Sequence, residues 1–504
     1  MTCLNRTDLT TPQKVQCSIQ ALLAQLHGGM SVLSQKVNLS RPTLYATAAT
    51  TQQLLEQHFS QGSTPLTPLV IDEAQLRRAV VALRIVAPNS IRAIEELIPL
   101  LYPGQSMSFG KIQTWLIEAQ DKAAQLNAQA DLSKIRAGAL DELFSQGDPV
   151  LAGIDLDSGY LFNLAVCTTR AGEDWAQVLG IAQDQGLNLQ VVVKDAAKGI
   201  ASGVSTVFPQ AQQRDDSFHA LYELGKVRRW MEQKAYAAIS AEQAALKQLG
   251  KIRVKDKPAR RKGYQQLSKA QQRCIQRIDD YDQFETAVQQ VTQALEWVNL
   301  HTGQWQNAQR MQNEIQHAAE TIRQLPYDKC RSLATYLSNR APGLALYADE
   351  LDQQLQPLVA SYSHKAVSLA CTLVQLRHYL QETPLSDKQQ QHFQQHCLGA
   401  WYMLQQQCSE SAVQSLLDAV QAMWQQRHRA SSAIEGFNSR LRPFLYVQKC
   451  AQQGFLDLFR AYFNLRQRRS GRHKGSSAHE KLTGKPTKDW LSVLGYPPSV
   501  IHQA

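Results

Sequence analysis

A chain of 504 residues can hold two to four domains and at least one large core. Its apolar content of 43% is that of a globular protein, and the absence of any apolar run of bilayer-spanning length excludes a helical membrane protein. Lys and Arg number 53 against 43 Asp and Glu, a net +10 that favours a polyanionic partner, DNA or RNA first; on charge alone a basic protein with no nucleic-acid partner is an equal alternative. The start, Met1 to Gln13, is polar and gives no expectation of a secretory leader. Nine cysteines are scattered without a C-x-x-C pair, so a reducing cytoplasm is expected rather than a disulfide framework.

Residues 1–65 read as helical and end in a linker-like stretch from Gly62 to Pro68. Within them Ser31 to Ala48 has the pattern of a helix-turn-helix. A short helix ends near Val37, Asn38-Leu39-Ser40 turns, and Ser40 with Pro42 starts a second helix. That helix would present Arg41, Thr43 and Tyr45 near its N-terminus, where a recognition helix meets base edges; a plain helical hairpin is the alternative. Residues 66–136 repeat the theme. A helix over Ile91–Leu101 breaks at Pro103-Gly104, and a second, from Phe109 to Ala123, offers Lys111, Gln113 and Thr114. Both regions are expected to bind DNA.

Residues 137–220 change character. Leu140 to Phe144, Val150 to Ile154 and Tyr160 to Cys167, separated by tight turns, predict three antiparallel strands. A helix over about 171–185, a buried strand Leu189 to Val193 and a helix over about 197–207 follow, an order that belongs to mixed α/β folds. Residues 221–430 lack strand signals and are expected to be all-α, with Phe284, Val288, Val291, Leu295 and Val298 at helical spacing. A basic run from Lys251 to Lys262 reads as a solvated loop or, alternatively, as one facing DNA. Trp297 and Trp305 read as helical core positions. His392, His396 and Cys397 lack the second pair that a metal cluster needs. Residues 431–504 begin with a strong helix and carry a basic tail, Arg466, Arg468, Arg469, Arg472 and Lys474, suited to following a DNA backbone.

Three carboxylates stand in suggestive places: Asp141 in the first strand, Asp195 at the carboxyl end of the buried strand, and Glu435 in the late helix. Asn438, Ser439 and Arg442 share a face with Glu435, at offsets of three, four and seven. Carboxylate oxygens are hard ligands for Mg²⁺ or Mn²⁺, and two such ions about 3.5–4 Å apart suit phosphodiester chemistry. Each residue alone is as readily a helix cap or a surface group. Asp155, ending the second strand, is the rival for the first position, and Asp157 reads as a turn residue.

The stretch from Val191 through Asp195 to Phe208-Pro209 resembles the second-carboxylate region of bacterial insertion-sequence transposases, and Ser432 to Arg442 resembles their catalytic Glu helix. Asp216-Ser217-Phe218-His219 is similar to the C/D-x-x-H motif of Mutator-like and hAT-like transposases, which carry a helical insertion between the second Asp and the Glu. The resemblance covers about residues 137–485. It implies an RNase H-like α/β core with a mixed five-stranded sheet, a large all-α insertion and N-terminal helix-turn-helix domains. It implies a DDE enzyme with Asp141, Asp195 and Glu435 as catalytic metal ligands and His219 near the scissile phosphate. It also implies Mg²⁺ or Mn²⁺ as cofactor, and double-stranded DNA as partner. Pairing two DNA ends implies at least a homodimer in the reaction, and a cytoplasmic, nucleoid-associated location is expected. A DNA-binding protein without catalysis and an RNase H-like nuclease are the alternatives.

Overall fold

The computed structural model describes residues 2, 5–61, 72–447, 451–471, 473–487 and 489–498. The chain divides into two compact units, Met1–Leu76 and Arg77–Ala504. The first holds α1 (Thr11–His27), α2 (Met30–Val37) and α3 (Arg41–Gln61), packed around Cys17, Ala21, Met30, Leu33, Leu39, Leu44 and Ala48. Asn38, at φ 50°, closes α2 in the left-handed region, and Ser40 Oγ accepts from the Thr43 amide at 3.3 Å at the start of α3. Helices α2 and α3 are thus joined by a short turn over Asn38–Ser40.

The larger unit contains α4 (Glu73–Val86, whose first turn falls in the smaller unit), α5 (Ile91–Leu101) and α6 (Phe109–Ala128). A sheet follows, built from β1 (Ala137–Ser145), β2 (Asp148–Asp155), β3 (Leu161–Val166), β4 (Val191–Lys194) and β5 (Gln212–Asp215). Helices α7 (Gly172–Asp184) and α8 (Lys198–Val207) make the crossovers into β4 and β5. The strand order is β3-β2-β1-β4-β5, with β1, β2 and β3 antiparallel and β1, β4 and β5 parallel. Gln146 and Gly147, at φ 53° and 107°, join β1 to β2 in the two-residue turn that matches strand twist. Trp175, Leu179, Val192, Ile200 and Phe162 are buried together in the core beneath the sheet. This mixed five-stranded sheet with its helical surroundings is compatible with an RNase H-like core.

Between β5 and the last part of the core lie α9 (Ser217–Lys251), α10 (Lys257–Ala294), β6 (Val298–Asn299), β7 (Gln304–Trp305), α11 (Ala308–Arg323), α12 (Asp328–Ser361), α13 (His364–Glu382), α14 (Asp387–Gln405) and α15 (Glu410–Gln425). Four expectations need correction here. The segment is not wholly helical, because β6 and β7 form a small hairpin. Leu295 and Val298 do not continue a helix: α10 stops at Ala294, Gln306 Nε2 donates to the carbonyls of Gln293 (3.1 Å) and Glu296 (2.8 Å), and buried Gln375 bonds both the N–H and the C=O of Val298 at 2.9 Å. Trp297 precedes this hairpin and Trp305 lies in it, neither on a helix; Trp297 is buried, and Trp305 donates to Asp352 at 2.8 Å. The basic run is mostly helical, since only 252–256 lie between α9 and α10.

The chain returns to the core with α16 (Ser432–Val447), α17 (Gln453–Leu465), α18 (Ala478–Thr483) and α19 (Trp490–Val493). Phe437 and Phe444 of α16 pack, mostly edge to face, on Phe455, Phe459 and Phe463 of α17 at centroid separations of 5.1–6.2 Å. Asn464 fastens α17 to β3, accepting from the Leu161 N–H at 2.7 Å and donating to its C=O at 2.9 Å. Helix α6, expected in a separate DNA-reading domain, packs on α17, where Asn127 Nδ2 donates to the Asp457 carbonyl at 2.9 Å.

Candidate active site

In the parallel pair β1–β4, Leu140 stands opposite Lys194. The next residue along each chain is Asp141, still within β1, and Asp195, just past the end of β4, so two carboxylates follow directly on the last pair of the shared parallel register. Helix α16 packs on β1 and delivers the third. Asn438 Nδ2 donates to Asp141 Oδ2 at 2.6 Å, tying the helix to the strand one turn beyond Glu435. The other oxygen of Asp141 accepts from the Glu142 amide at 2.8 Å, and Asp195 Oδ1 accepts from the Ala197 amide at 2.8 Å. Asn438 Oδ1 is buried without a hydrogen-bond partner among the described residues.

His219 joins this group. Its Nε2 lies 3.8 Å from Glu435 Oε1, and its Nδ1 bonds Asp216 Oδ2 at 2.7 Å. Asp216 is a hub. It caps α9 by accepting from the Phe218 amide (2.9 Å), and it takes both the amide (3.0 Å, at Oδ1) and the hydroxyl of Ser431, the residue that begins the turn into α16. Ser217 and Arg214 reinforce that strap. Ser217 donates through its amide (3.0 Å) and hydroxyl (2.8 Å) to the Arg429 carbonyl, and Arg214 donates to the carbonyls of Arg427 (3.2 Å) and His428 (3.3 Å). The C/D-x-x-H segment therefore fixes where the Glu435 helix begins.

The electrostatics follow from burial and like charge. Burial pushes the Asp141 carboxyl up to about 6; the Glu142 amide opposes this, and the charges of Glu435 and Asp195 add to it. The bond to Asp216 lifts His219 to about 9 against its own burial, with the charges of Asp216, Asp141 and Asp195 adding. For Asp216, burial pushes the carboxyl up, but the bonds from His219, Ser431 and Phe218 outweigh it and hold it below the usual carboxylate range.

Among the described residues, no three His, Cys, Asp or Glu side chains stand close enough together to hold a metal ion as they are. The donor chemistry nonetheless fits a hard divalent cation. The three oxygen donors carry like charge, one of them is buried and raised, and a cation between them would remove the repulsion.

The other candidates divide. Asp155 stands opposite Gly138, three residues back along β1 from Asp141, and its Oδ2 accepts from the Ser158 amide (2.8 Å) and hydroxyl; it closes the β2–β3 turn. Asp157 is an exposed turn residue, 3.4 Å from His428. Arg442 is exposed and 3.9 Å from Glu435 Oε2. In the N-terminal unit Arg41 is exposed and donates to Ser31 Oγ at 3.2 Å, and Tyr45 is half exposed. Thr43 is taken up by the cap, 2.8 Å from Ser40 Oγ. Lys111 and Gln113 are exposed on α6, with Lys111 lying over Trp115.

The expectation for the basic tail needs correction. Arg466 is partly buried over the Tyr462 and Phe463 rings, and Arg468 donates to the carbonyls of Ser158 (3.2 Å) and Gly159 (3.0 Å), so both hold the fold. Arg469 and Lys474 are exposed, and Arg472 lies outside the described residues. The rings of His392 and His396 lie 4.1 Å apart on α14.

With this geometry in hand, comparison with known families is informative. Residues 154–351 match the model of an ISL3-type DDE family described as transposase. The match supports a DDE-type insertion-sequence transposase. It spans Asp195, Asp216, His219 and the α9–α10 pair; Asp141 precedes it and Glu435 follows it. No curated protein matches the chain. Among the described residues no helix is long and apolar enough to cross a membrane.

Sequence reasoning missed the supporting partners. Asn438 was visible on the Glu435 face, but its bond to Asp141 spans 297 positions and leaves no local signal. Asp216 was visible in the motif; its grip on Ser431 was not, for the same reason.

Proposed function

We propose that this chain is a DNA transposase that cleaves DNA at the ends of its element and joins the freed 3′-OH to target DNA. Asp141, Asp195 and Glu435 would hold two divalent cations, Mg²⁺ or Mn²⁺. When bound, such ions would activate the attacking oxygen and stabilise the leaving one. The observation that carries this reading is the meeting of Asp141 and Asp195 at the end of one parallel register, with Glu435 and His219 beside them.

Each residue has a task that its surroundings favour. Asp141 must be ionised to ligate, and the Asn438 amide donates to that charge. His219 holds a proton on Nε2 at neutral pH because Asp216 occupies Nδ1. It therefore offers a charged donor to a non-bridging phosphate oxygen. Arg442, two turns along α16 from Glu435, offers a planar donor fork to the same strand. In the N-terminal unit α3 is the DNA-reading helix, with Arg41 and Tyr45 as base-edge contacts and Thr43 securing its start. Lys111 and Gln113 on α6 are further contacts to the duplex. Bringing two ends together requires at least two copies of the chain.

The test is cleavage of a supercoiled plasmid carrying the DNA that flanks the coding region. Nicking at the ends should need Mg²⁺ or Mn²⁺ and stop in EDTA. Asp141→Ala, Asp195→Ala and Glu435→Ala should each reduce it to background while duplex binding persists, and Asp155→Ala should still cleave. Cleavage that survives EDTA, or that survives loss of Glu435, would refute the reading. Binding without cleavage in the wild type would leave a DNA-binding protein.

A further inference from the structure

The net charge of this chain is concentrated in one place. Residues 251–278 contain ten Lys and Arg and one acid, Asp256; the other 476 residues hold 43 basic and 42 acidic side chains. The surplus that pointed to a polyanion is therefore almost wholly local, at the tip of the antiparallel pair α9–α10 and the adjoining turns of α10.

The tip is a built structure. Leu249 of α9 and Leu267 and Cys274 of α10 are buried between the two helices. At Gly263 a Cβ would come within 2.8 Å of Leu249 Cδ1, so α10 lies close against the end of α9 here. Around this small core the cations face outward. Lys251, Arg253, Lys255, Lys257, Arg261, Lys262, Lys269 and Arg273 are exposed. Among the described residues none of these, nor Arg260, forms an ion pair; Arg277 reaches Asp280 at 3.6 Å. Asp256 does not neutralise them, because it caps α10 by accepting from the Ala259 amide at 3.0 Å. Lys257, Arg260, Arg261 and Lys262 crowd the first turns of α10, where the helix dipole already disfavours positive charge.

These side chains also have an ordered layout. Lys257, Arg260, Arg261, Tyr264, Lys269 and Gln272 line a shallow concavity of about 930 Å³. Arg260 Nη2 donates to the Tyr264 hydroxyl at 2.9 Å, fixing one guanidinium beside a half-exposed ring. Cationic donors spaced along exposed helical turns fit the regular phosphates of a duplex backbone better than base edges.

Helix α9 sets the reach. It runs unbroken from His219 in the active site to Lys251 at the tip, about 48 Å at 1.5 Å per residue. Along B-DNA that is about 14 base pairs. We infer that the α9–α10 tip is a second, sequence-independent binding site for the duplex DNA backbone, gripping it within about 14 base pairs of the scissile phosphate. The inference rests on the reading that the chain acts on DNA.

The test is duplex binding by the full chain in EDTA, across a KCl series, with the exposed charges removed in one variant: Lys257→Gln, Arg261→Gln, Lys262→Gln and Lys269→Gln. On a 40-base-pair duplex of arbitrary sequence the variant should bind at least tenfold more weakly than wild type at physiological salt. Its log–log salt slope should be shallower by up to about 0.9 per lost contact. On the target ends it should keep its preference over scrambled DNA. On a duplex of about 10 base pairs, too short to span both sites, wild type loses the gain from engaging both, so the difference between the two proteins should shrink. An unchanged slope on the long duplex overturns the inference while wild-type DNA binding stands, and so does a loss confined to single-stranded RNA. A wild type that binds no duplex overturns the DNA reading with it. Loss of metal-dependent cleavage bears only on the proposed chemistry, because binding here is measured without metal.

Discussion

Two clusters of like charge sit at opposite ends of α9, and they differ in what surrounds them. At the active-site end Asp141 is 8% exposed, and its neighbours Asp195 and Glu435 carry the same sign. In that low-dielectric setting the environment acts on protonation: burial, with the like charges of Glu435 and Asp195 adding, lifts Asp141 to about 6, and the bond to Asp216, with the attraction of the neighbouring carboxylates adding, lifts His219 to about 9. At the other end the cations of 251–273 stand in water, where salt screens them over about 8–10 Å. The buried cluster suits a small, hard cation. The exposed one suits a long polyanion that sheds counterions on binding. One region should therefore answer to pH and divalent metal, the other to ionic strength.

The largest break in this comparison is expected from Asp216, which touches no reacting group but holds both His219 and the start of the Glu435 helix. Asp216→Ala should slow single-turnover cleavage on the order of 10–100-fold, as loss of an outer partner commonly does. The deficit should grow with pH. Without Asp216, His219 falls back toward its ordinary range near 6.5, so it stays largely charged at pH 6 but is neutral at pH 8, where the wild-type residue at about 9 is still charged. A deficit equal at both pH values would mean that Asp216 serves the fold alone. A smaller effect is expected from Arg442→Lys, which keeps the charge and loses the planar fork. Cleavage should fall roughly three- to tenfold, the worth of about one hydrogen bond, with little change in binding or its salt slope. Wild-type turnover would reduce Arg442 to the loose pairing with Glu435 at 3.9 Å.

Legibility in the sequence followed the range of the interactions involved. Strands β1 and β4 were readable because Val191 to Val193 and the turn at Gln146-Gly147 are local signals. Strand β5 was not, since Gln212-Gln213-Arg214-Asp215 has no apolar residue and is held by Arg340, Glu350 and its pairing with β4. Arg468 read as part of a free tail because the carbonyls that hold it come from a turn some 310 positions away; the Tyr462 and Phe463 rings beneath Arg466 lie only four and three positions back and were available locally. The helical start inside the basic run was available in Asp256 followed by Pro258, a cap and a first-turn proline, but the density of charge obscured it.

A stability measurement gives the most direct test of the central claim, that the fold holds unneutralised negative charge for a cation. Asp141 is an acid whose folded pKa is raised. As pH rises through about 4 to 6 the unfolded chain releases the proton first, so stability falls and stays lower at neutral pH, by up to about 3 kcal/mol. In EDTA at pH 7.5, Asp141→Asn should therefore melt a few degrees above the wild type, and the gap should close as pH falls toward 4. Adding 10 mM Mg²⁺ should raise the wild-type melting temperature by ligand linkage and leave Asp141→Asn nearly unmoved. Equal melting temperatures in EDTA, or the same Mg²⁺ shift in both proteins, would contradict a cation site built on Asp141.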